Sequence, residues 1–148
     1  MNRVVKFNTV ATVVFALATF FAAWIFSPAW RTAIVVVDLV LFAIGVVTFL
    51  LGFFSAVQRS RTEEISVSTL FLLLGGTAEK KVVWWMNGCL TVQVVVGIAG
   101  AIARGTTDGR PGSTLAFGVL VGMLGLGLNG WWAARYGRFP DRGSPAAA

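Results

Sequence analysis

The chain reads as an all-α integral membrane protein with four transmembrane helices in two antiparallel hairpins. A short cytoplasmic helix, interfacial or re-entrant, is expected between the second and third spans. Three observations predict this. Hydrophobic residues make up 57% of 148 and charged residues only 12%, with mean hydropathy +0.81, whereas soluble domains are about a quarter charged. Apolar stretches of roughly 20 residues recur along the chain, each long enough to cross a hydrocarbon core about 30 Å thick. The basic residues are shared unequally between the two ends of those stretches.

The first span covers 7–26, behind Arg3 and Lys6. Ala16-Leu17-Ala18 resembles a signal-peptide cleavage site, but apolarity continues through residues 19–26 without the break such a site requires. Ser27-Pro28 then supplies an N-cap and a proline at the first helical position, so the second helix starts almost where the first stops. Its membrane portion is 34–57. Within 36–57 stand 15 Leu, Ile, Phe or Val residues, each contributing about −0.3 to −0.6 kcal/mol to insertion. Their sum outweighs the cost of Asp38, about +2.5 to +3.5 kcal/mol for a central acid.

Residues 61–76 are of a different kind. Arg59, Arg61, Glu63, Glu64, Glu79, Lys80 and Lys81 surround an apolar core, 65–74, that is too short to span. Ser60 and Glu63 have capping-box spacing, and Gly75-Gly76 offers a stop. The third span, 82–103, is expected to be capped by Thr77 with Glu79 in its first turn. It is the least lipid-like, with nine Leu, Ile, Phe or Val residues beside Asn87, Thr91 and Gln93, so it belongs between other helices. Turn-forming residues at 106–112 lead through Ser113 to the fourth span, 114–134. The single membrane domain is thus 1–134, and 135–148 reads as a disordered cytoplasmic tail.

Orientation follows from the basic residues. Arg3, Lys6, Arg59, Arg61, Lys80, Lys81, Arg135, Arg138 and Arg142 fall on one side, and Arg31, Arg104 and Arg110 on the other. By the positive-inside rule both termini face the cytoplasm of a cell-membrane protein. The tryptophans agree: Trp24 and Trp30 mark one interface, and Trp84, Trp85, Trp131 and Trp132 the other.

Small residues let helices approach closely in lipid. Gly118, Gly122, Gly125 and Asn129 share one face of the fourth span, and Cys89, Gln93, Gly97 and Gly100 form a stripe on the third. Pairing the two antiparallel spans by depth sets Gly97 and Gly100 against Gly118 to Gly122 and brings Asn87 to Asn129. The second and fourth spans end alike, in Gly52-Phe53-Phe54-Ser55-Ala56 and Gly130-Trp131-Trp132-Ala133-Ala134. Either a duplicated hairpin or the common preference of inner helix ends for aromatic and small residues accounts for this, and the second is the simpler.

One cysteine, Cys89, and no histidine exclude disulfide frameworks, thiolate or imidazole metal sites and His-dependent catalysis. No enzyme activity, cofactor or metal is expected. The net charge of +6 is explained by orientation, so no nucleic acid is expected as a partner. Gly75-Gly76-Thr77-Ala78-Glu79-Lys80-Lys81 lacks phosphate-loop spacing and follows no strand.

Asp38 is the notable intramembrane acid. It suggests a pathway or ion contact by default, but its place near the outer boundary favours neutralisation by water, Arg104 or Arg110. Asn87, Gln93 and Asn129 could line a polar path, though interhelical hydrogen bonding is the commoner use of such groups. Cys89 reads as a small packing residue. Arg59, Arg61, Lys80 and Lys81 suit anionic lipid head groups or simply mark topology.

Arg59-Ser60-Arg61-Thr62-Glu63-Glu64-Ile65, Gly75-Gly76-Thr77-Ala78, Leu115-Ala116-Phe117-Gly118-Val119-Leu120-Val121 and Trp132-Ala133-Ala134-Arg135-Tyr136-Gly137-Arg138-Phe139-Pro140 resemble a group of small four-span membrane proteins of unassigned function from high-GC Gram-positive bacteria. The resemblance implies the same fold and transfers no activity. The expected role is that of an interaction or accessory protein of a membrane complex, with lipids and another membrane protein or a second copy as partners. The alternative is a small oligomeric transporter or channel using the intramembrane polar residues.

Overall fold

The computed structural model describes residues 2–143, so the part of the expected tail at 144–148 lies outside them. Four helices are long and apolar enough to cross a membrane. The first, α1 (Arg3–Ile25), begins where Asn2 Oδ1 accepts from the Val4 backbone N–H at 3.2 Å. It ends at Phe26, which takes the left-handed conformation with φ 46°. That conformation costs a non-glycine residue about 1–2 kcal/mol. The Phe26 ring offsets it by lying beneath two guanidinium groups, Arg31 at 5.3 Å and Arg104 at 4.9 Å. Ser27 then caps α2 (Pro28–Arg59), accepting from Trp30 N–H, with Pro28 in the first turn as expected.

Between α2 and the next span the expected helix shrinks to a single turn, α3 (Val67–Phe71). Ser60 does not open it. Helical geometry persists in α2 up to Arg59, so Ser60 closes that helix, its hydroxyl donating to Val57 O at 2.7 Å. The capping box belongs instead to Ser66 and Thr69, each side chain accepting from the other residue's backbone N–H. Leu70, Phe71 and Leu73 are buried, and Phe71 stacks on Phe49 of α2 at 4.4 Å. Leu73, Gly75 and Gly76 all have positive φ and reverse the chain. Thr77 is spent in this turn, donating to Leu74 O at 2.6 Å. Hence α4 (Lys80–Ala103) begins behind Glu79, and no side chain among the described residues caps it.

A two-residue hairpin follows, β1 (Thr106–Thr107) with β2 (Arg110–Pro111). Asp108 and Gly109, with φ 52° and 76°, make the primed turn that strand twist favours. The fourth span opens as a 3₁₀ helix, Thr114–Val121, and continues as α5 (Gly122–Tyr136). It is the most buried of the four and the centre of the bundle.

The spans are adjacent in the order first, third, fourth, second, with only a narrow contact between α1 and α2. Ala22, Ile34 and Leu115 close one end of that contact. The anticipated glycine face of the fourth span meets α4. A Cβ on Gly97 would fall 2.6 Å from Gly118 O, Gly122 abuts Val94, and Gly125 abuts Gln93 and Leu90. A second close approach joins α2 to the fourth span in parallel. A Cβ on Gly45 would lie 2.5 Å from Leu124 N, and one on Gly52 2.6 Å from the Gly130 carbonyl carbon. The glycines of the two similar helix endings therefore touch. Outward faces carry Val10, Leu17, Phe20, Val40, Val47 and Phe54, an apolar exterior suited to lipid.

Candidate functional site

Polar side chains inside the bundle fall into separate layers. In the central one, Gln93 of α4 is wholly buried and donates from Nε2 to Asn8 Oδ1 at 3.0 Å and to Thr12 Oγ1 at 2.7 Å, both on α1. Its Oε1 accepts from Gly125 N–H at 2.9 Å. Gly125 lies in the first turn of α5, just past the 3₁₀ segment. Thr12 completes the layer by donating to Asn8 O at 2.7 Å. Asn8 and Thr12 were missing from the sequence-based candidates. Their spacing with Phe15 and Thr19, all buried at i, i+4, i+7 and i+11, marks a single inward face and would have found them.

A second layer gathers Asn87, Asn129 and α3. Asn129 Nδ2 donates to Asn87 Oδ1 at 2.9 Å, joining the two asparagines paired above by depth, and to Phe71 O at 2.9 Å. Asn87 Nδ2 donates to Leu72 O at 2.8 Å. Both asparagines thus satisfy carbonyls at the end of a one-turn helix that has no following turn to do so. Cys89 is a buried free thiol with Thr9 Oγ1 at 3.9 Å.

Asp38 is where expectation fails. Neither Arg104 nor Arg110 partners it: Arg104 donates from Nε to Ala23 O at 2.9 Å, and Arg110 stands exposed in β2 with no ion pair among the described residues. Asp38 is 0% exposed, and neither carboxylate oxygen has a hydrogen-bond partner among the described residues. The reason is geometric. Asp38 lies one turn inward of the Ala22, Ile34 and Leu115 plug, while Phe26 holds the Arg104 guanidinium, together with that of Arg31, at the extremity. Thr19, one turn inward of Ala22 on α1, is likewise buried with an unpartnered hydroxyl.

The basic end also departs from expectation. Arg59 is not free for lipid. Its guanidinium binds Glu63 through Nε at 2.7 Å and Nη2 at 3.0 Å, and it donates to Ala134 O at 2.9 Å and Gly137 O at 3.2 Å. It also covers the Phe139 ring at 5.0 Å. This cap satisfies the last carbonyls of α5. The segment beyond α5, expected to be disordered, is held to 62–77: Glu64 N–H donates to Pro140 O, Arg138 N–H to Thr77 O and Arg142 N–H to Thr62 O. Arg61, Lys80 and Lys81 remain exposed.

An open groove of about 510 Å³ runs between α1 and α4, lined by Thr9, Thr12, Ala16, Gly88, Cys89 and Val92, with Trp84 and Trp85 at one end. The fold and these layers define a multi-pass helical membrane protein. No family model, curated protein or solved structure matches the chain.

Proposed function

We propose that this is an interaction or accessory protein of a membrane complex that receives a transmembrane helix of another membrane protein in the groove between α1 and α4. The groove itself carries the reading. Gly88 has open space where a Cβ would stand, and Ala16, Thr9, Thr12 and Cys89 keep the floor low. Small residues on a lipid-facing surface are the usual means by which membrane helices meet. Trp84, 81% exposed, and Trp85 give the groove an aromatic wall at the interfacial level. Meanwhile Gln93, Asn8, Thr12 and Asn87 are spent on one another and on backbone, and Asn129 donates to Asn87 and to Phe71 O, its Oδ1 alone lacking a partner among the described residues, which favours a rigid partner-binding body.

In this reading the protein sits in the cell membrane with both termini in the cytoplasm, by the charge and tryptophan asymmetry, and α3 is a shallow re-entrant turn. The test is gentle extraction of tagged protein, native mass determination, and comparison with Gly88→Leu, which fills the groove. A stoichiometric second protein lost in G88L supports the reading. Retention of that partner by a folded G88L sinks it.

Asp38 favours a second reading, a small oligomeric transporter. An unpartnered acid within a span is costly and points by default to a pathway. A clean homo-oligomer carrying only lipid would favour it. Proton-coupled flux in vesicles would then have to vanish in Asp38→Asn.

A further inference from the structure

Two buried side chains in the outer half of the bundle carry oxygens that the fold leaves unused. Asp38 of α2 is 0% exposed with neither carboxylate oxygen bonded, and Thr19 of α1 is 4% exposed with its hydroxyl unbonded, among the described residues. We infer that they hold one dehydrated monovalent cation such as sodium, coordinated by oxygen alone. The site stands whether the ion is carried across the membrane or simply kept.

The Thr19 hydroxyl is the exception among its kind. Thr9, Thr12, Thr32, Thr48 and Thr91, the other threonines of α1, α2 and α4, each donate to the carbonyl four residues earlier. That bond is the ordinary resting place of a helical threonine hydroxyl. Thr19 forgoes it. Its methyl lies 2.9 Å from where a Cβ on Gly100 would stand, so the methyl faces α4 and the hydroxyl turns elsewhere.

Three elements bring oxygens to one level. Ala22 of α1, Ile34 of α2 and Leu115 of the fourth span pack together, and Thr19 and Asp38 each stand one turn inward of that plug on buried faces. The third wall follows from the parallel pairing of α2 with the fourth span. Gly45 abuts Met123 and Leu124. Asp38 lies two turns, about 10 Å, outward of Gly45, which sets it against the 3₁₀ segment. Eight residues is about twice the usual run of 3₁₀ geometry, whose poorer bonds leave backbone carbonyls less fully engaged. Irregular backbone at such a depth is a recurrent source of sodium ligands in membrane proteins.

Charge and spacing select the ligand. Asp38 is the only acidic residue in the four spans, so a single positive charge neutralises it and a divalent ion would leave an excess. Asp38 and Thr19 do not bond each other, so their oxygens stand farther apart than a hydrogen bond. A proton on Asp38 would not bridge that gap, whereas a hard cation takes carboxylate, hydroxyl and carbonyl oxygens together. The close approaches nearby, Gly97 on Gly118 and Thr19 on Gly100, leave room for a bare ion and not for an organic cation.

Full-length protein in detergent is brought into choline chloride, and sodium chloride replaces it at constant ionic strength while the thermal midpoint is followed. The midpoint should rise by several degrees and saturate, since an ion bound only by the folded state stabilises it. Asp38→Asn should abolish the rise. In choline alone D38N should match or exceed the wild-type midpoint, because the buried acid is uncompensated there. Thr19→Val should raise the half-saturating sodium concentration several-fold by deleting one neutral ligand. Glu64→Gln, which alters an exposed acid at the opposite end, should respond as wild type does. A wild-type midpoint indifferent to sodium, an equal rise in D38N, or an unchanged half-saturation in T19V overturns the site. Should D38N fail to remain monodisperse, T19V against E64Q decides alone.

Discussion

Replacing Gln93 by leucine removes the link that ties three spans together at one depth. The substitution keeps volume and gains hydrophobicity, so any loss comes from polar bonds. Three are deleted: two from Nε2 to α1 and one from Gly125 N–H to Oε1. Interhelical hydrogen bonds in membranes contribute about 0.6 kcal/mol on average, which gives a first loss of roughly 2 kcal/mol. Asn8 Oδ1 and the Gly125 amide are then left unpartnered in a wholly buried place, and each such group costs about 1–3 kcal/mol before local relaxation. Together these give about 4–8 kcal/mol, less whatever local relaxation recovers. The assay is reversible unfolding in mixed micelles, with the lipid-facing Val95→Leu as control. Adding Asn8→Leu removes the orphaned acceptor, so the double variant should lose at least about 1 kcal/mol less than the two single losses together. A Q93L protein within about 0.5 kcal/mol of wild type, or a strictly additive double variant, would refute the account.

Three other perturbations follow from the same geometry. Asp38→Leu, which deletes two unpartnered buried oxygens, should raise unfolding stability by about 1–3 kcal/mol in micelles; a less stable D38L would show that the carboxylate has a partner. Gly45→Ala forces a Cβ to 2.5 Å from Leu124 N and should cost about 1–3 kcal/mol by overpacking, whereas Gly88→Ala, facing open space, should stay within about 0.5 kcal/mol. Equal tolerance in the same unfolding assay would contradict the helix pairing. Arg59→Gln should raise amide exchange at Arg138 and Arg142 by at least about tenfold by removing the charged cap; unchanged protection there would mean the backbone bonds hold that segment unaided.

What was readable in the sequence was whatever local composition encodes. Span lengths, the Ser27-Pro28 start, the Asp108-Gly109 turn and the glycine face turned toward α4 each rest on a few adjacent residues. The pairing of α2 with the fourth span was not read, because Gly45 and Gly52 lie scattered in a Leu- and Phe-rich run whose composition speaks mainly of lipid. The Ser60 box failed since four residues with the right spacing cannot show whether the preceding helix has ended. Arg59 and the segment beyond α5 depend on bonds to backbone carbonyls across more than 60 residues, which leave no local trace. The expected neutralisation of Asp38 failed because depth along a helix was legible while the reach of Arg104, set by Phe26, and of Arg110, set by the hairpin, was not.

The separation between Gln93 and the groups it satisfies bears on how the chain assembles. Asn8 waits for a partner 85 residues downstream, which at a synthesis rate of about 5–20 residues per second is on the order of ten seconds. During that interval the first hairpin resides in the bilayer with Asn8 unpaired and Thr12 bonded only within its own helix. Its two helices touch chiefly near their turn. The first half is therefore an incomplete lipid-embedded intermediate that the second half closes by sliding alongside it, parallel helix to parallel helix. A nascent chain arrested after α2 is the species on which insertion chaperones and membrane proteases would act.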